Sequence, residues 1–589
     1  MKCMAIVLSS WMTVFAAGCQ DKQEIQADQV TSLGVAEFLA TDKAAYRPGE
    51  TVKFSLRLKE AAGDMTIRVQ YRHLGEVIGD QQLQAAGDKA EWEWTPPADD
   101  FKGYMAEVFV ANKETVVDHL NIAVDVSSDW SKFPRYGYLA DFPKLGREQM
   151  ENVIERLNRF HINGIQFYDW QYKHHDPLKL EGGKPAAEWA DIANRPVSFD
   201  TVKGYIDLAH SKNMKAMNYN LLFGAYADAE KDGVSKEWGL FKDRDQTEQD
   251  NHPLPGWASD IMLYDPANPD WQNYLIGKEK GVFQHLPFDG WHVDQLGGRG
   301  TLWNAAGKAV ELPQAYVSFL KSAKQQLDVH YVMNAVSQFG QGLLAALAPL
   351  DFLYTEVWSD FPEYSSLKEI IDRNGDFSGN RLNTVLAAYV NYDYSNYGAM
   401  FNAPGVLLAD AVIFASGGAH LELGENMLSK EYFPHKKLSV SPDLEKQLIG
   451  YYDFLAAYQN VLRDGLQPAQ LKMESEAGGP SISAEAKQGH IWSFAKKKNN
   501  SYIVHFINFT DATTMNWNDN EGNQAEPQEL KDVAVSFHTD QKVNGIQFAS
   551  PDYYNGSMVS VPLEQKDGKV TFKLPKLKYW DMVMIDLAE

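Results

Sequence analysis

The sequence predicts a multidomain protein in which a central (β/α)8 TIM barrel lies between an N-terminal immunoglobulin-like β-sandwich and a C-terminal β-sandwich. The chain has 589 residues, which is too long for one ordinary domain. Strand and helix patterns alternate through about 300 residues in its middle, the size of such a barrel. On both sides of that region, apolar and polar residues alternate with period two, as in half-buried strands.

The first 19 residues predict a lipoprotein signal peptide. Lys2 supplies a positive charge, residues 4–17 form an apolar run too short for a stable membrane span, and Cys19 follows three small residues. Cleavage before Cys19 removes Cys3, the other cysteine of the chain, so we expect neither a thiolate site nor a disulfide in the mature protein. Residues 20–30 are expected to be a polar tether. A plain secretory signal is the alternative.

These features predict an exported lipoprotein at the outer membrane or cell surface, which contacts the membrane only through its lipid anchor.

The net charge is −24, so the protein should be repelled by nucleic acid and by anionic lipid. Its 15 Trp and 28 Tyr suit sugar rings, whose C–H faces stack on aromatic rings, but a large core also uses aromatic residues.

Residues 31–130 are predicted to form the N-terminal sandwich. The stretch 52–58 alternates apolar and polar residues after a Pro-Gly-Glu turn. Further short strands are predicted at 65–71, 90–94, 104–111 and 120–126, a spacing that favours an immunoglobulin-like sandwich. No cluster of acids or histidines is apparent in this part of the sequence.

Residues 131–478 are predicted to form the barrel. Strands are expected at 136–142, 162–170, 214–220, 288–297, 331–336, 351–358, 384–392 and 411–415. Helices are expected at 147–160, 199–212, 271–283, 316–327 and 343–348. An open doubly wound sheet is the rival fold, but it needs a Gly-rich phosphate loop after its first strand, where this chain has Asp-Phe-Pro-Lys.

Residues 479–589 are predicted to form the C-terminal sandwich. Its strands are expected at 491–495, 502–507, 533–537 and 570–574, where alternation returns.

Acids, amides and aromatic residues lie at or just after the ends of the predicted barrel strands. In a barrel these ends meet at one mouth, where active sites are built. A single acid in such a place can simply cap a turn, and Asp141 is as well explained as a structural acid of the rim. The full set is Asp141, Asp169, Trp170, Asn218, Asn220, Asp294, Asn334, Glu356, Trp358, Asn391, Tyr392, His420, Glu422 and Glu425.

This inventory predicts glycoside hydrolysis. The sequence lacks a P-loop, a dinucleotide fingerprint, a G-x-S-x-G elbow and an H-E-x-x-H motif, and we expect no cofactor and no metal. Cleavage of a glycosidic bond needs one ionised and one protonated carboxyl group. Asp294 lies between the polar residues His292 and Gln295, which favours the ionised form. Glu356 follows and precedes apolar residues, which raise a carboxyl pKa.

Five stretches of the chain resemble glycoside hydrolase family 66, whose members are endo-dextranases and cyclodextran-forming glucanotransferases. The resemblance implies a hydrolase or transferase that acts on α-1,6-glucan, with retention at the anomeric carbon. It is most specific between about residues 130 and 480. The stretches are Arg135–Phe142, Gln166–Trp170 with His174 and Asp176-Pro177, Asp289–Asp294, Thr355–Trp358 and Gly418–Gly424.

By position in these motifs, Asp294 matches the nucleophile, Glu356 the acid/base, and Asp169 a further acid that holds sugar hydroxyls. Dextran and isomaltooligosaccharides are the implied partners. Further residues at the strand ends are expected to bind substrate: Trp170, His174, Asn220, His292, Asn334, Trp358, Asn391, Tyr392, His420 and Glu422.

The resemblance implies that the transferases carry an extra carbohydrate-binding module late in the barrel. Residues 392–411 leave no room for one, which favours an endo-hydrolase. The cyclising transferase stays an alternative, and so does a non-catalytic surface glycan-binding lipoprotein. The pair Asp294 and Glu356 argues against the binding protein, because binding alone does not need an acid and a nucleophile.

Overall fold

The computed structural model describes residues 25–59, 65–433 and 435–588. The predicted signal peptide, Cys19 and the start of the predicted tether lie outside the described residues. In the described ranges, no helix is long and apolar enough to cross a membrane. The chain is multidomain and rich in sheet, with antiparallel sheets on either side of a set of parallel strands.

The N-terminal region contains two antiparallel sheets around one apolar core. In the strand Val52–Leu58, every second side chain is buried, which explains its clear pattern in the sequence. Two strands were not predicted, Ala36–Thr41 and Glu76–Gln84; Glu76–Gln84 is an edge strand with no fully buried residue. The sheets consist of Ala36–Thr41, Val52–Leu58 and Lys89–Trp94, and of Glu76–Gln84, Met65–His73, Lys102–Asn112 and Thr115–Val126.

Eight parallel strands follow, and each neighbours the next one along the chain. The first five form one sheet and the last three another. Backbone hydrogen bonds join these two sheets at both edges: Ala335 N donates to Tyr354 O at 3.0 Å, and Tyr138 N donates to Leu423 O at 3.0 Å. The eight are Tyr136–Leu139, Gly164–Phe167, Lys215–Leu221, Gly290–Asp294, His330–Met333, Leu353–Val357, Thr384–Ala388 and Gly418–His420.

Helices connect these strands, as the alternation in the sequence predicts. They are Arg147–Arg159, Phe199–Ser211, Pro269–His285, Leu312–Gln326, Gln341–Leu347, Tyr364–Ser378 and Ala403–Ala415, with Pro442–Ala457 and Gln459–Leu462 after the eighth strand. Short antiparallel strands lie in the loops: Leu180–Glu181, Lys184–Pro185, Glu188–Ala190, Pro196–Ser198, Gly224–Tyr226, Asn251–His252, Ile261–Leu263, Leu302–Trp303 and Ala309–Val310.

The prediction of an eighth strand at 411–415 is wrong. These residues end the helix Ala403–Ala415, and the eighth strand is Gly418–His420. Every residue of this helix from Gly405 to Ala415 is buried, so a continuous apolar run shows no period that separates helix from strand. The helix start does carry a signal, because Pro404 lies in its first turn.

The C-terminal region also contains two sheets around one core, and they are antiparallel except for the parallel pairing of Ile482–Ser483 with Ile491–Lys498. They begin earlier than the predicted boundary at residue 479, since Gln467–Ala469 and Glu474–Ser475 already pair with their strands. The sheets consist of Gln467–Ala469, Ile491–Lys498, Ser501–Asn508, Trp580–Leu587, Val543–Ala549, Val559–Val561 and Ile482–Ser483, and of Glu474–Ser475, Leu530–His538, Lys569–Leu577 and Leu563–Lys566.

The N-terminal sheets contact both later regions of the chain. Arg135, just before the first parallel strand, forms an ion pair of 2.7 Å with Asp125, and both side chains are fully buried. Asn121 Nδ2 donates to Asn555 O and to Ser557 Oγ, each at 2.9 Å. Residues far apart in sequence therefore hold the first and last regions of the chain together.

Candidate active site

Asp294 ends the fourth parallel strand and receives three hydrogen bonds. Tyr219 Oη donates to its Oδ2 at 2.6 Å, while Asn334 Nδ2 and Gln295 N donate to its Oδ1 at 2.9 and 2.8 Å. Donors of this kind stabilise an ionised carboxylate and fix its orientation. The side chain is half-buried, so it remains open to a ligand.

Glu356 lies one residue before the end of the sixth parallel strand and is also half-buried. Tyr389 Oη hydrogen-bonds to Glu356 Oε1 at 2.5 Å, and Asn334 Nδ2 donates to Oε2 at 3.1 Å. Tyr389 follows the seventh strand and Asn334 follows the fifth, so the neighbouring strands on both sides position this carboxyl group.

Asn334 bridges the two acids. Its amide nitrogen lies 2.9 Å from Asp294 Oδ1 and 3.1 Å from Glu356 Oε2, so these oxygens are no further apart than the sum of the two distances, 6.0 Å. Retaining glycosidases hold their carboxyl groups roughly 5–5.5 Å apart, and inverting ones roughly 6.5–9.5 Å. The bridge therefore favours the retaining arrangement.

Burial raises the pKa of both carboxyl groups. The pKa of Glu356 is raised to about 7, because of burial first and the charge of Asp294 second. Burial also raises the pKa of Asp294, while hydrogen bonds from Tyr219 and Asn334 oppose the rise. Near neutral pH, Glu356 can therefore hold a proton, while the hydrogen bonds from Tyr219 and Asn334 favour the ionised form of Asp294.

Asp169 follows the second parallel strand and faces the same region. Its φ of 51° is in the left-handed range, which is uncommon outside glycine and marks a residue held by its surroundings. Arg195 Nη2 lies 4.0 Å from Asp169 Oδ2, and Arg195 also pairs with Asp191 at 2.7 Å. Burial raises the pKa of Asp169 to about 7, although the Arg195 charge lowers it.

Two aromatic residues from the predicted set lie beside the acids. The rings of Trp358 and Tyr392 are half-buried, 6.0 Å apart and edge to face. Trp358 also lines a groove of about 620 Å³ with Asp360 and with the loop after Asp294, including Gly297 and Gly298. The groove therefore lies beside the loops that follow Asp294 and Glu356.

Trp170, His174 and Asn220 lie at or after strand ends but are buried. Trp170 is fully buried, and its Nε1 donates to Asn218 Oδ1 at 2.8 Å. Asn220 Nδ2 donates to Glu279 Oε1 at 2.6 Å, and its Oδ1 hydrogen-bonds to His174 Nδ1 at 3.0 Å. The expectation that these three bind substrate is corrected: their polar atoms are used inside the protein.

His292 is buried among the side chains inside the parallel strands. Its ring stacks on Tyr136 and Tyr219 at 5.8 Å, and it hydrogen-bonds to Tyr136 Oη at 3.2 Å. Burial lowers the pKa of His292 to about 3, so the ring is neutral. The ring packs against Tyr219, which in turn holds Asp294, and its burial corrects its expected role as a substrate ligand.

Asn391 ties the end of the seventh strand to the C-terminal region. It is fully buried, and its Nδ2 donates to Asp519 O and Oδ2 at 2.9 and 3.0 Å. This use of the amide corrects its expected role as a substrate ligand.

His420 and Glu422 belong to a buried polar cluster with Asp410. His420 Nδ1 lies 2.7 Å from Asp410 Oδ1 and 3.4 Å from Glu422 Oε2, and Tyr452 Oη donates to Glu422 Oε1 at 2.9 Å. All three are fully or almost fully buried, so the expected contact of His420 and Glu422 with substrate is corrected. Their ligand atoms lie within 4.8 Å of one another, but the short His420–Asp410 distance is that of a hydrogen bond.

Sequence reasoning missed the two tyrosines that hold the acids, Tyr219 and Tyr389, and it missed Arg195. Both tyrosines lie within predicted strands, one or two residues from the amides that were selected. Alternation along a strand was the available signal, since Tyr219 and Asn220 must point to opposite faces. Arg195 lies in a long loop and left no comparable signal.

Two half-buried carboxyl groups that share one amide donor, one with a pKa near 7, are the parts of a glycosidase active site. Comparisons with known proteins agree with this class. The family model "Glycosyl hydrolase family 66" matches residues 41–584. The chain belongs to glycosyl hydrolase family 66.

Individual relatives show two activities within this family. A cycloisomaltooligosaccharide glucanotransferase of Niallia circulans is 26% identical, and the match covers 93% of this chain and 72% of that protein. A dextranase of Streptococcus salivarius is also 26% identical, with 88% and 73% covered. Among solved structures, a Paenibacillus sp. cycloisomaltooligosaccharide glucanotransferase complexed with cycloisomaltoheptaose superposes with a TM-score of 0.87, at 25% identity over 94% of this chain and 99% of that one.

Proposed function

We propose that the protein is a retaining endo-hydrolase of α-1,6-glucosidic bonds in dextran that releases isomaltooligosaccharides. The observation that carries this proposal is the Asn334 bridge, which holds Asp294 and Glu356 at a separation suited to a covalent intermediate. The substrate rests on the relatives, of which one is a dextranase and others form cyclic isomaltooligosaccharides.

In the first step, Asp294 attacks the anomeric carbon while Glu356 gives its proton to the departing glycosidic oxygen. The products are a β-linked glycosyl ester of Asp294 and a shortened glucan. In the second step, Glu356 takes a proton from water, whose oxygen attacks the same carbon and releases Asp294. Two displacements restore the α configuration. We assign to Asp169 the holding of sugar hydroxyls, and the Arg195 guanidinium 4.0 Å away favours its ionised form.

We also propose that the eight parallel strands are a closed (β/α)8 barrel between two β-sandwiches. The hydrogen bonds at both edges of the two parallel sheets support closure, and a shared core supports each sandwich. Pairing of Gln467–Ala469 with the C-terminal sheet supports an end of the barrel near residue 466.

A cyclising glucanotransferase is the second candidate, because two of the curated relatives and the superposed structure have that activity. The short stretch from Tyr392 to Ala411 favours the hydrolase, since it leaves no room for the extra module that the resemblance implies for the transferases. Mass spectrometry separates the two, since a cyclic product is lighter than the linear one by one water.

The proposal is tested by product analysis on dextran beside starch, pullulan and cellulose. We expect linear isomaltooligosaccharides from dextran and no products from the other three. Release from starch or pullulan in place of dextran would contradict the linkage, and failure to cleave any α-glucan would leave a glycan-binding protein as the better account.

We further propose that the protein is an exported lipoprotein, anchored at the outer membrane or cell surface through Cys19. Support comes from the sequence of the first 19 residues, and an enzyme in this place would release fragments that the cell can import.

A further inference from the structure

Tyr432 is an exposed aromatic residue close to the catalytic acids. Its side chain is 43% exposed, and its φ of 57° is in the left-handed range that bulky residues avoid. Backbone strain of this kind persists where the surrounding structure holds it, and it is concentrated at functional sites. Deep burial does not explain this conformation, because the side chain is only partly buried.

The segment 431–433 is fixed to the active site on both sides of Tyr432. Arg195, which lies beside Asp169, donates a short hydrogen bond to Phe433 O. Tyr392 Oη donates to Glu431 Oε1 at 2.6 Å. The first bond holds the backbone after the exposed ring, and the second holds the side chain of the residue before it.

The ring of Phe433 packs this segment against two tyrosines close to the acids, Tyr168 and Tyr389. Its ring stacks on Tyr168 at 4.2 Å and lies 6.4 Å from Tyr389, which holds Glu356. The electrostatics agree with this position. Burial first, and then the charges of Glu431, Glu356, Asp169 and Asp294, raise the pKa of Tyr432 to about 12.

A second aromatic ring stands beside Tyr432 from a different loop. Trp257 lies in the excursion after the third parallel strand, and its ring is 5.2 Å from that of Tyr432 at 68°. His252, from the same excursion, hydrogen-bonds to Tyr432 Oη through Nε2 at 3.1 Å. Since the hydroxyl is engaged, Tyr432 offers a ligand the face of its ring.

We propose that Tyr432 and Trp257 form an aromatic subsite that stacks against a glucosyl unit of the substrate beyond the sugar whose bond is cleaved. The C–H face of a glucose ring fits an exposed aromatic face, and the surrounding carboxylates disfavour an anionic ligand. The inference rests on the proposed action on α-1,6-glucan. It assigns a length preference to two residues outside the set that the sequence selected.

The test uses the Glu356→Gln variant, which keeps the shape of the site but has no proton to donate. Binding of isomaltooligosaccharides of increasing length is measured by calorimetry. Adding Tyr432→Ala or Trp257→Ala should weaken binding of long oligomers ~10-fold, the usual scale of one aromatic contact, and leave the shortest bound oligomer unchanged. Tyr432→Phe keeps the ring and should retain the length dependence.

Phe38→Ala is the matched control, because this ring is 41% exposed and lies on an N-terminal strand. It should bind all lengths as the parent does. An equal loss at every length would place Tyr432 at the cleaved sugar and overturn the inference, and so would no loss at any length in both Ala variants. Thermal melting of each variant separates misfolding from lost contact. Failure of the wild type to cleave dextran would instead overturn the proposed function.

Discussion

Asn334 is the residue on which the relative position of the two carboxyl groups depends. Its amide donates to both, and its Oδ1 accepts from Glu356 N at 3.2 Å. We expect Asn334→Ala to lower kcat/KM by about 10–100-fold, the scale of a lost hydrogen bond to a charged group. Loss of the donor should also move both limbs of the pH profile to higher pH, because the ionised forms lose stabilisation. An unchanged profile with lower activity would indicate a merely structural role.

The pH dependence of the wild type follows from Glu356. It must be protonated for the first step, and burial raises its pKa to about 7, so kcat/KM for dextran should fall as pH rises through that value. On the acid side, activity should fall as Asp294 takes up a proton. The measurement is kcat/KM on dextran across pH. A profile that stays flat to pH 9 would contradict Glu356 as the general acid.

The separate roles of the two acids can be tested with azide. Glu356→Ala should lose about 10²–10⁴-fold on dextran, the usual share of a general acid, and less on a glycosyl fluoride, whose leaving group needs no proton. Azide should then give the α-glycosyl azide through the covalent intermediate. Asp294→Ala should lose turnover, and azide should give the β-azide by direct attack. Exchanged anomers would reverse the two roles.

At this scale, the sequence predicted the acids better than their surroundings. Acids and amides at the ends of predicted strands can be recognised from the sequence alone. This is how Asp294, Glu356, Asp169 and Asn334 were selected. The buried positions of Trp170 and Asn391 could not be predicted, because the partners Asn218 and Asp519 that occupy their polar atoms depend on tertiary packing.

Among the elements, the first seven parallel strands were predicted because each joins an apolar run to polar residues at its end. The eighth failed because the helix Ala403–Ala415 is buried on all sides and has no polar face to set a period. The strand itself, Gly418–His420, has only three residues, too few for any periodic pattern.

The buried contact of Asn391 is a link between elements, and its loss should show in stability. Asn391→Ala removes three hydrogen bonds, two donated by Asn391 Nδ2 to Asp519 and one that Asn391 Oδ1 accepts from Asn402 N at 2.8 Å. Asp519 Oδ2 then keeps Asn402 Nδ2 as its remaining side-chain donor. We expect the free energy of unfolding to fall by about 1–3 kcal/mol, measured by denaturant titration, with KM for dextran nearly unchanged. A large rise in KM at unchanged stability would restore the role predicted from sequence. Asn396→Ala, on an exposed residue of the same loop, is the control.

For the whole molecule, the alternation of patterns predicted three regions, and the structure contains antiparallel, parallel and antiparallel sheets in that order. The boundary before the C-terminal region was predicted too late, at residue 479. The strands Gln467–Ala469 and Glu474–Ser475 have only three and two residues, and each pairs with a strand far along the sequence. Nothing in the local sequence marks such pairing.

Location is a property of the whole chain and is tested at its start. In the native host, Cys19→Ala should move the protein from the membrane fraction to the soluble fraction, because a multiply acylated cysteine gives stable anchoring. Activity on dextran should be unchanged, since the acids lie far along the chain from this residue. Membrane association of the variant equal to that of the wild type would contradict the lipid anchor.

The hydrogen bonds from Asn121 to Asn555 and Ser557 turn the linear order of the regions into a closed circuit. The N-terminal region contacts the C-terminal region as well as the middle one. Neither outer region can therefore be removed without breaking contacts to both of the others. Deleting the N-terminal or the C-terminal region would leave polar groups of the other without their hydrogen-bond partners. Engineering of this enzyme is therefore better directed at loops such as 431–433 than at exchange of whole modules.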